Sequence, residues 1–462
     1  MSMSPLRALV PPPLSRRALI GAAGLVSGCT ALPELGWIGQ SPADRIVASI
    51  APVRFPDRLV RVPDHGAREG AGHDSLPGLR AAIAACADAG GGRVTVPAGL
   101  WRMDGPINLR SGVDLHLEAG AVVRFSPDPA LYPTVLTRWE GTEVFNHSPL
   151  IYTRGQRGVA LTGPGRFEGQ GRETWFTWRP QQRADQTRLR DMGRAGVPVR
   201  DRVFGLGHRL RPAFVQFFDC RDVLIDGPTF VDSPFWVIHP VYCDGFTARN
   251  VTVVSKHLNS DGIDPDSCTN VLIERCRFDV SDDCVAIKSG RDQDGWRVGR
   301  PTSRVVVRDC DMTTDIAAAF AIGSEMSGGA HDIFVERLRV AHAEHALYFK
   351  ANLDRGGAVE RIRMNDILVD RTETLIHFTT DYHSYRGGNF PPTYRDFEVS
   401  NVRCLDADQA LHIVGVEGAP VEDVRLRDIR VARASLADDI RHTRRLVMDQ
   451  VRVNDRLVVA PI

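Results

Sequence analysis

The chain has 462 residues, and its 57 Lys and Arg balance 57 Asp and Glu. That balance argues against a nucleic-acid surface and against an acidic disordered tail, and the length allows one extended domain or two or three compact ones. No apolar run beyond the N-terminus reaches membrane-spanning length.

In chain order, "SRRALIGAAGLVSGC" sets Arg16 and Arg17 before a short apolar stretch, which resembles a twin-arginine export signal. "VSGC", ending at Cys29, resembles a bacterial lipobox, which would put a lipid on that cysteine. An exported chain is therefore expected: periplasmic, anchored to the outer membrane or secreted, and touching membrane only through Cys29. Residues 1–29 read as this signal, 30–50 as a linker and 51–462 as one domain, expected to act as a monomer. Eight further cysteines, at 86, 220, 243, 268, 276, 284, 310 and 404, form no CxxC pair, so zinc is not expected. Several fall in apolar strand patterns, where cysteine behaves as a small buried hydrophobe. Their spacing identifies no disulfide.

"LPGLRAAIAACADAGGG", from Leu76, reads as an amphipathic helix stopped by Gly90 to Gly92. It would cover an exposed strand edge, which otherwise invites aggregation. "VALTGPGR" at 159 then introduces a pattern: apolar, any, apolar, any, small or polar, then often apolar, any, apolar. It recurs as "VLIDGPTF" at 223, "FTARNVTV" at 246, "VLIERCRF" at 271, "VVVRDCDM" at 305, "IFVERLRV" at 333, "IRMNDILV" at 362, "FEVSNVRC" at 397 and "VRLRDIRV" at 424. From 223 the starts lie 23 to 35 residues apart, without long helices between them. Period-two alternation marks strands, and repetition at that interval marks a solenoid. The predicted fold is an all-β, right-handed single-stranded parallel β-helix with a short N-terminal capping helix. A propeller would need about four antiparallel strands per repeat, and periodic hairpin signals are missing.

Stacked coils lie about 4.8 Å apart, so residues at similar offsets from the repeat starts line up. Asp261 lies 15 residues after its start, and Asp282 and Asp283 lie 11 and 12 after theirs. Three carboxylates thus share one face of neighbouring coils. Phe235, Trp236 and His239 of "SPFWVIHP" join the stripe on one side, with Tyr348, Lys350 and His377 on the other. Aromatic faces beside paired carboxylates suit sugar binding and glycosidic cleavage, in which one carboxyl gives a proton and another activates water. Crowding serves that chemistry, because a neighbouring charge raises one carboxyl pKa. For Asp266 and Asp279 a turn role is the plainer reading. Calcium is the other rival, but no EF-hand or nonapeptide Gly-Asp array is present.

"NSDGIDPDSC" with "SDDCVAIKSGRD" resembles the signature of the pectin-degrading glycoside hydrolases of family 28, the polygalacturonases and their relatives, of bacterial exo-type. "SPLIYTRGQRGVALTGPGRFEGQG", "SPFWVIHP", "IGSEMSGG" and "GGGRVTVPAGLW" extend the likeness over roughly residues 55–450. The resemblance implies a right-handed parallel β-helix that hydrolyses with inversion and needs no metal or cofactor. It implies Asp282 as general acid, Asp261 and Asp283 as the pair that holds and activates water, and Asn259 as their support. Two positions depart from the family pattern: Ala318 stands where its histidine is expected, and Tyr348 where the arginine before Lys350 is expected. The histidine is implied to tune the acid, and the Arg-Lys pair to grip substrate carboxylates.

Only three lysines stand against 54 arginines. Lys256 and Lys288 flank the aspartate motifs and Lys350 falls on the stripe, as if a compact ammonium were required there. Lys288, Lys350, Arg291, His239, Tyr348, Trp236 and Asn259 are the expected substrate contacts, with Arg355 a further uronate-binding candidate. The sequence reading is an inverting, exo-acting hydrolase of α-galacturonosyl linkages in pectic polysaccharide or oligosaccharide. A rhamnogalacturonan hydrolase or rhamnosidase, a calcium-using polysaccharide lyase and a non-catalytic carbohydrate-binding β-helix stay open beside it. An acid held roughly 6.5–9.5 Å from the water-holding carboxylates would mark inversion.

Overall fold

The computed structural model describes residues 41–383 and 385–460. The expected export signal, with Arg16, Arg17 and Cys29, lies outside the described residues. The chain winds into a parallel β-helix, right-handed as parallel crossovers are. Val159, Val223, Phe246, Val271, Val305, Ile333, Ile362, Phe397 and Val424, the repeat starts read from the sequence, pair with one another in that order. All are buried, so each coil adds one apolar layer to a continuous core.

The fifth position of the repeat has a backbone cause. Gly163, Gly227, Asn250, Asp309, Asp366, Asn401 and Asp428 all have positive φ there, where the strand turns a corner. Glycine enters that region freely and Asn or Asp at low cost, which explains the small or polar residue. Arg275 and Arg337 take the same conformation. Cys220, Cys243 and Cys268 stand just before paired strand positions on successive coils. The eight cysteines among the described residues are buried and free.

Among the described residues, four α-helices decorate the solenoid. Helix α1 (Pro42–Ser49) begins at Ser41, whose side chain accepts from the Asp44 N–H. Its Ala43 and Ile46 pack against Leu272 and Val306 on the outside of the coils. Residues 42–49, read as linker, are therefore helical: apolar residues three apart found an outward apolar patch to cover. Helix α2 (Leu76–Asp88) buries Leu76, Leu79, Ala82, Ile83 and Cys86 over the first coil, as the sequence predicts. Helix α3 (Arg179–Arg194) fills part of the 64 residues between the starts at 159 and 223, and α4 (Asp292–Val298) follows the aspartate coils. A hairpin, Thr134–Trp139 with Thr142–His147, stands beside them. Its turn residues Glu140 and Gly141 both have positive φ, as a two-residue hairpin turn requires.

Candidate active site

The parallel register brings the carboxylates together. Ile238 pairs with Ile263, Ile263 with Val285 and Val285 with Phe320, so Trp236, Asp261, Asp283 and Ala318, each two residues earlier, stack along one face. Asp282 immediately precedes Asp283, and one oxygen from each of Asp261, Asp282 and Asp283 lies within 4.8 Å of the others. These oxygens lie closer than the expected 6.5–9.5 Å, because Asp261 and Asp283 stack one strand spacing apart and Asp282 is the chain neighbour of Asp283. All three line a cavity of about 410 Å³, together with Asn259, Trp236, Lys288, Arg291 and Lys350.

Hydrogen bonds distinguish the three. Asp283 accepts from the Ala318 N–H at 3.0 Å and from Lys350 Nζ at 2.7 Å. Asp282 accepts from the backbone N–H groups of Asn259 (2.9 Å) and Asp283 (3.0 Å), and it alone of the three is partly open to the cavity. Burial and the neighbouring Asp283 push the Asp282 pKa up. Asp261 is pushed further above the ordinary range by burial, then by Asp282 and Asp264. Its Oδ2 lies 3.7 Å from Lys288 Nζ, and its Oδ1 has no partner among the described residues.

Two lysines stand against these carboxylates. Burial works against the charge of Lys288, but Glu325 at 3.3 Å and Asp261 hold its pKa above the ordinary value. Its ammonium also sits 4.6 Å from the centre of the Trp236 ring. For Lys350, burial is outweighed chiefly by Asp283. The three carboxylates have the mutual distances of a cation site, yet two ammoniums already stand against two of them. Glu325 is drawn well below its ordinary value by Lys288, Arg291 and Arg355, against the effect of burial.

Other expected contacts lie elsewhere. His239 is buried behind Trp236, with Nδ1 against Gln216 Nε2 (3.0 Å) and Nε2 against Asp266 Oδ2 (3.3 Å); it does not line the cavity. A histidine on this face turns inward because Asp266, read as a turn residue, is a fully buried partner that also pairs with Arg138 at 2.8 Å. Asp279 is half exposed and pairs with Lys256 on the outer surface. Tyr348 does not line the cavity either: it packs on Ala286, Ala318 and Ala321, filling the room left by the small residue at 318. Its ring supports Lys350, whose Nζ lies 5.1 Å from the ring centre. Arg291 reaches the cavity but is paired with Glu140, and Arg355 is buried against Asp292.

Sequence reasoning missed several groups. Glu140 enters from the hairpin tip, Tyr382 and His383 from a later coil, and Arg179, Arg183 and Gln186 from α3. The long gap between repeats at 159 and 223 was the available signal for α3, since extra chain between coils has to go outside the core. Asp264, three residues after Asp261, is fully buried, and neither of its oxygens has a partner among the described residues. The α3 wall is firmly tied down. Arg190 joins Asp292 (2.7 Å) and Asp354 (2.9 Å), and the Arg291 N–H donates to the Gly141 carbonyl of the hairpin at 3.0 Å.

A family model described as Glycosyl hydrolases family 28 matches residues 202–445. The chain is 28% identical over 368 residues to a Vitis vinifera protein named "Probable polygalacturonase", spanning 76% of this chain and 69% of that one. The solved hyperthermoactive exopolygalacturonase of Thermotoga maritima is 36% identical, with a TM-score of 0.84 over 88% of this chain and 95% of that one. The Yersinia enterocolitica family 28 exopolygalacturonase, 19% identical, matches 86% of this chain and 76% of its own with a TM-score of 0.69, a likeness of fold.

Proposed function

Because the chain belongs to glycosyl hydrolases family 28, we propose that it hydrolyses pectic polysaccharide or oligosaccharide, removing terminal α-galacturonosyl units with inversion. The observation that carries the reading is the convergence of Asp261, Asp282 and Asp283 on one cavity, between two buried ammoniums. Asp282, the carboxyl most open to the cavity, gives its proton to the glycosidic oxygen as the bond to the anomeric carbon breaks. Asp261 and Asp283 hold a water that attacks that carbon from the opposite face and passes its proton to them. Inversion is part of the proposal, supported by this water seat and not by the carboxylate spacing. Oxygens no more than 4.8 Å apart can both accept from one water, whose hydrogen bonds reach about 2.8 Å each.

Exo-action is supported by the wall that the hairpin tip and α3 raise along the cavity and by the mode named for the 36% identical relative. Digestion of oligogalacturonides tests both parts. Free galacturonate as the sole early product, released in the anomeric configuration opposite to the cleaved bond by proton NMR, is expected. Mixed oligomers would point to endo-action, a retained anomer to a covalent intermediate, and release of rhamnose alone to a neutral-sugar enzyme. Export with a lipid on Cys29 belongs to the same proposal and rests on Arg16, Arg17 and "VSGC". Palmitate labelling that is lost in Cys29→Ala tests it.

A further inference from the structure

The cavity's cations divide into two kinds. Lys288, Lys350 and Arg291 are already committed to Glu325, Asp283 and Glu140. Arg179 and Arg183 are exposed and line the same cavity, and their side chains make no hydrogen bond or ion pair among the described residues. They lie four apart on α3, and with Gln182 and Gln186 they form one helical face turned to the cavity. This face is held in register with the reacting carboxylates. Gln182 Oε1 accepts from Arg211 Nε (2.8 Å), Arg211 Nη2 donates to Asn259 Oδ1 (2.7 Å), and the Asn259 N–H donates to Asp282.

We propose that Arg179 and Arg183 take the carboxylate of a hexuronate unit bound beside Asp282, making α3 the element that selects charged over neutral sugars. The inference rests on the galacturonide reading above. A guanidinium fork matches a carboxylate bidentately, and the arginines left unpaired in the free protein have full capacity for it. Arg179 also repels its neighbour in the free site: Arg211 is pushed down to about 10, first by burial and then by Arg179, against the pull of Glu140, Asp282 and Asp261. A bound carboxylate would relieve that repulsion. The grip expected at the Tyr348 position is thereby supplied by α3, an insertion, rather than by the coil.

The test is competition between an oligogalacturonate and its methyl ester, read as the ratio of kcat/KM for acid over ester. The ratio does not depend on how much enzyme is folded. Arg179→Gln with Arg183→Gln should lower it about tenfold or more, mainly through KM, the effect expected for lost charge-assisted hydrogen bonds. Arg179→Lys with Arg183→Lys should keep part of the preference, and added salt should narrow the wild-type ratio more than that of the Gln variant. An unchanged ratio, or Lys no better than Gln, overturns the proposal while leaving the hydrolase reading standing. A wild type that cleaves only neutral pectic sugars overturns the galacturonide reading, and this proposal with it.

Discussion

Asp282→Asn separates the acid from its neighbours most sharply. Asp282 accepts two backbone N–H groups, and an asparagine side chain offers one oxygen, so one donor loses its partner at about 1–3 kcal/mol. Removing a carboxylate next to Asp283 offsets part of that. The variant should therefore fold, since domains of this kind have roughly 5–15 kcal/mol to lose. Activity should respond far more, because proton donation contributes about 10²- to 10⁴-fold, or roughly 3–5 kcal/mol of barrier. The assay compares kcat/KM for an oligogalacturonide with that for an aryl galacturonide whose phenol leaves without protonation. The oligosaccharide should lose the full factor and the aryl substrate less than about tenfold. The pH profile should change as well. Burial and Asp283 raise the Asp282 pKa, so wild-type activity is present below that value and declines as pH rises through it. On the aryl substrate the variant should lack that decline. Equal losses on both substrates would refute the acid role of Asp282. Asp261→Asn is the necessary companion, because Asp261 is pushed up too: as a water holder it should lose both substrates alike, and selective rescue there would exchange the two roles.

Asp264→Asn tests the buried carboxyl behind the site. Its folded pKa stands well above 3.8, so the folded protein binds this proton more tightly than the unfolded chain. Stability thus falls as pH rises from about 4 through the folded pKa, at up to about 1.4 kcal/mol per pH unit, and Asn removes that slope. Denaturant unfolding should show the variant gaining on wild type as pH rises across that window; a pH-independent difference would refute the assignment. Ala318→His should destabilise by about 1–3 kcal/mol, because Tyr348 occupies the space a larger side chain would need. Tyr348→Ala in the same chain should recover part of that loss, and strict additivity of the two changes would argue against shared space.

The solenoid was legible because its period repeats a physical demand: an inward apolar pair, then a corner residue with positive φ, once per coil. That demand also brought Asp261 to Asp283, since register alone decides which offsets meet. What failed was the side-chain environment. His239 and Asp266 occupy stripe and turn positions by offset, but Arg138, reaching in from a hairpin more than a hundred residues earlier, makes Asp266 a buried anchor. Tyr348 likewise followed the stripe into an alanine-lined space that no offset describes. The α3 residues carry no signal of the coil period, because an insertion obeys the surface it covers and not the repeat it interrupts.

The register of the coils also bears on how the molecule comes apart. From Val223 onward each coil meets its neighbours after only 23 to 35 residues, so opening one rung exposes little beyond the next. Fraying should begin at the terminal rungs and travel inward like a zipper, reaching the coils between Phe246 and Phe320 last. Amide exchange there should be the slowest in the chain. The chemistry would then outlast considerable melting at either end, with the remaining rungs still holding three carboxylates in line.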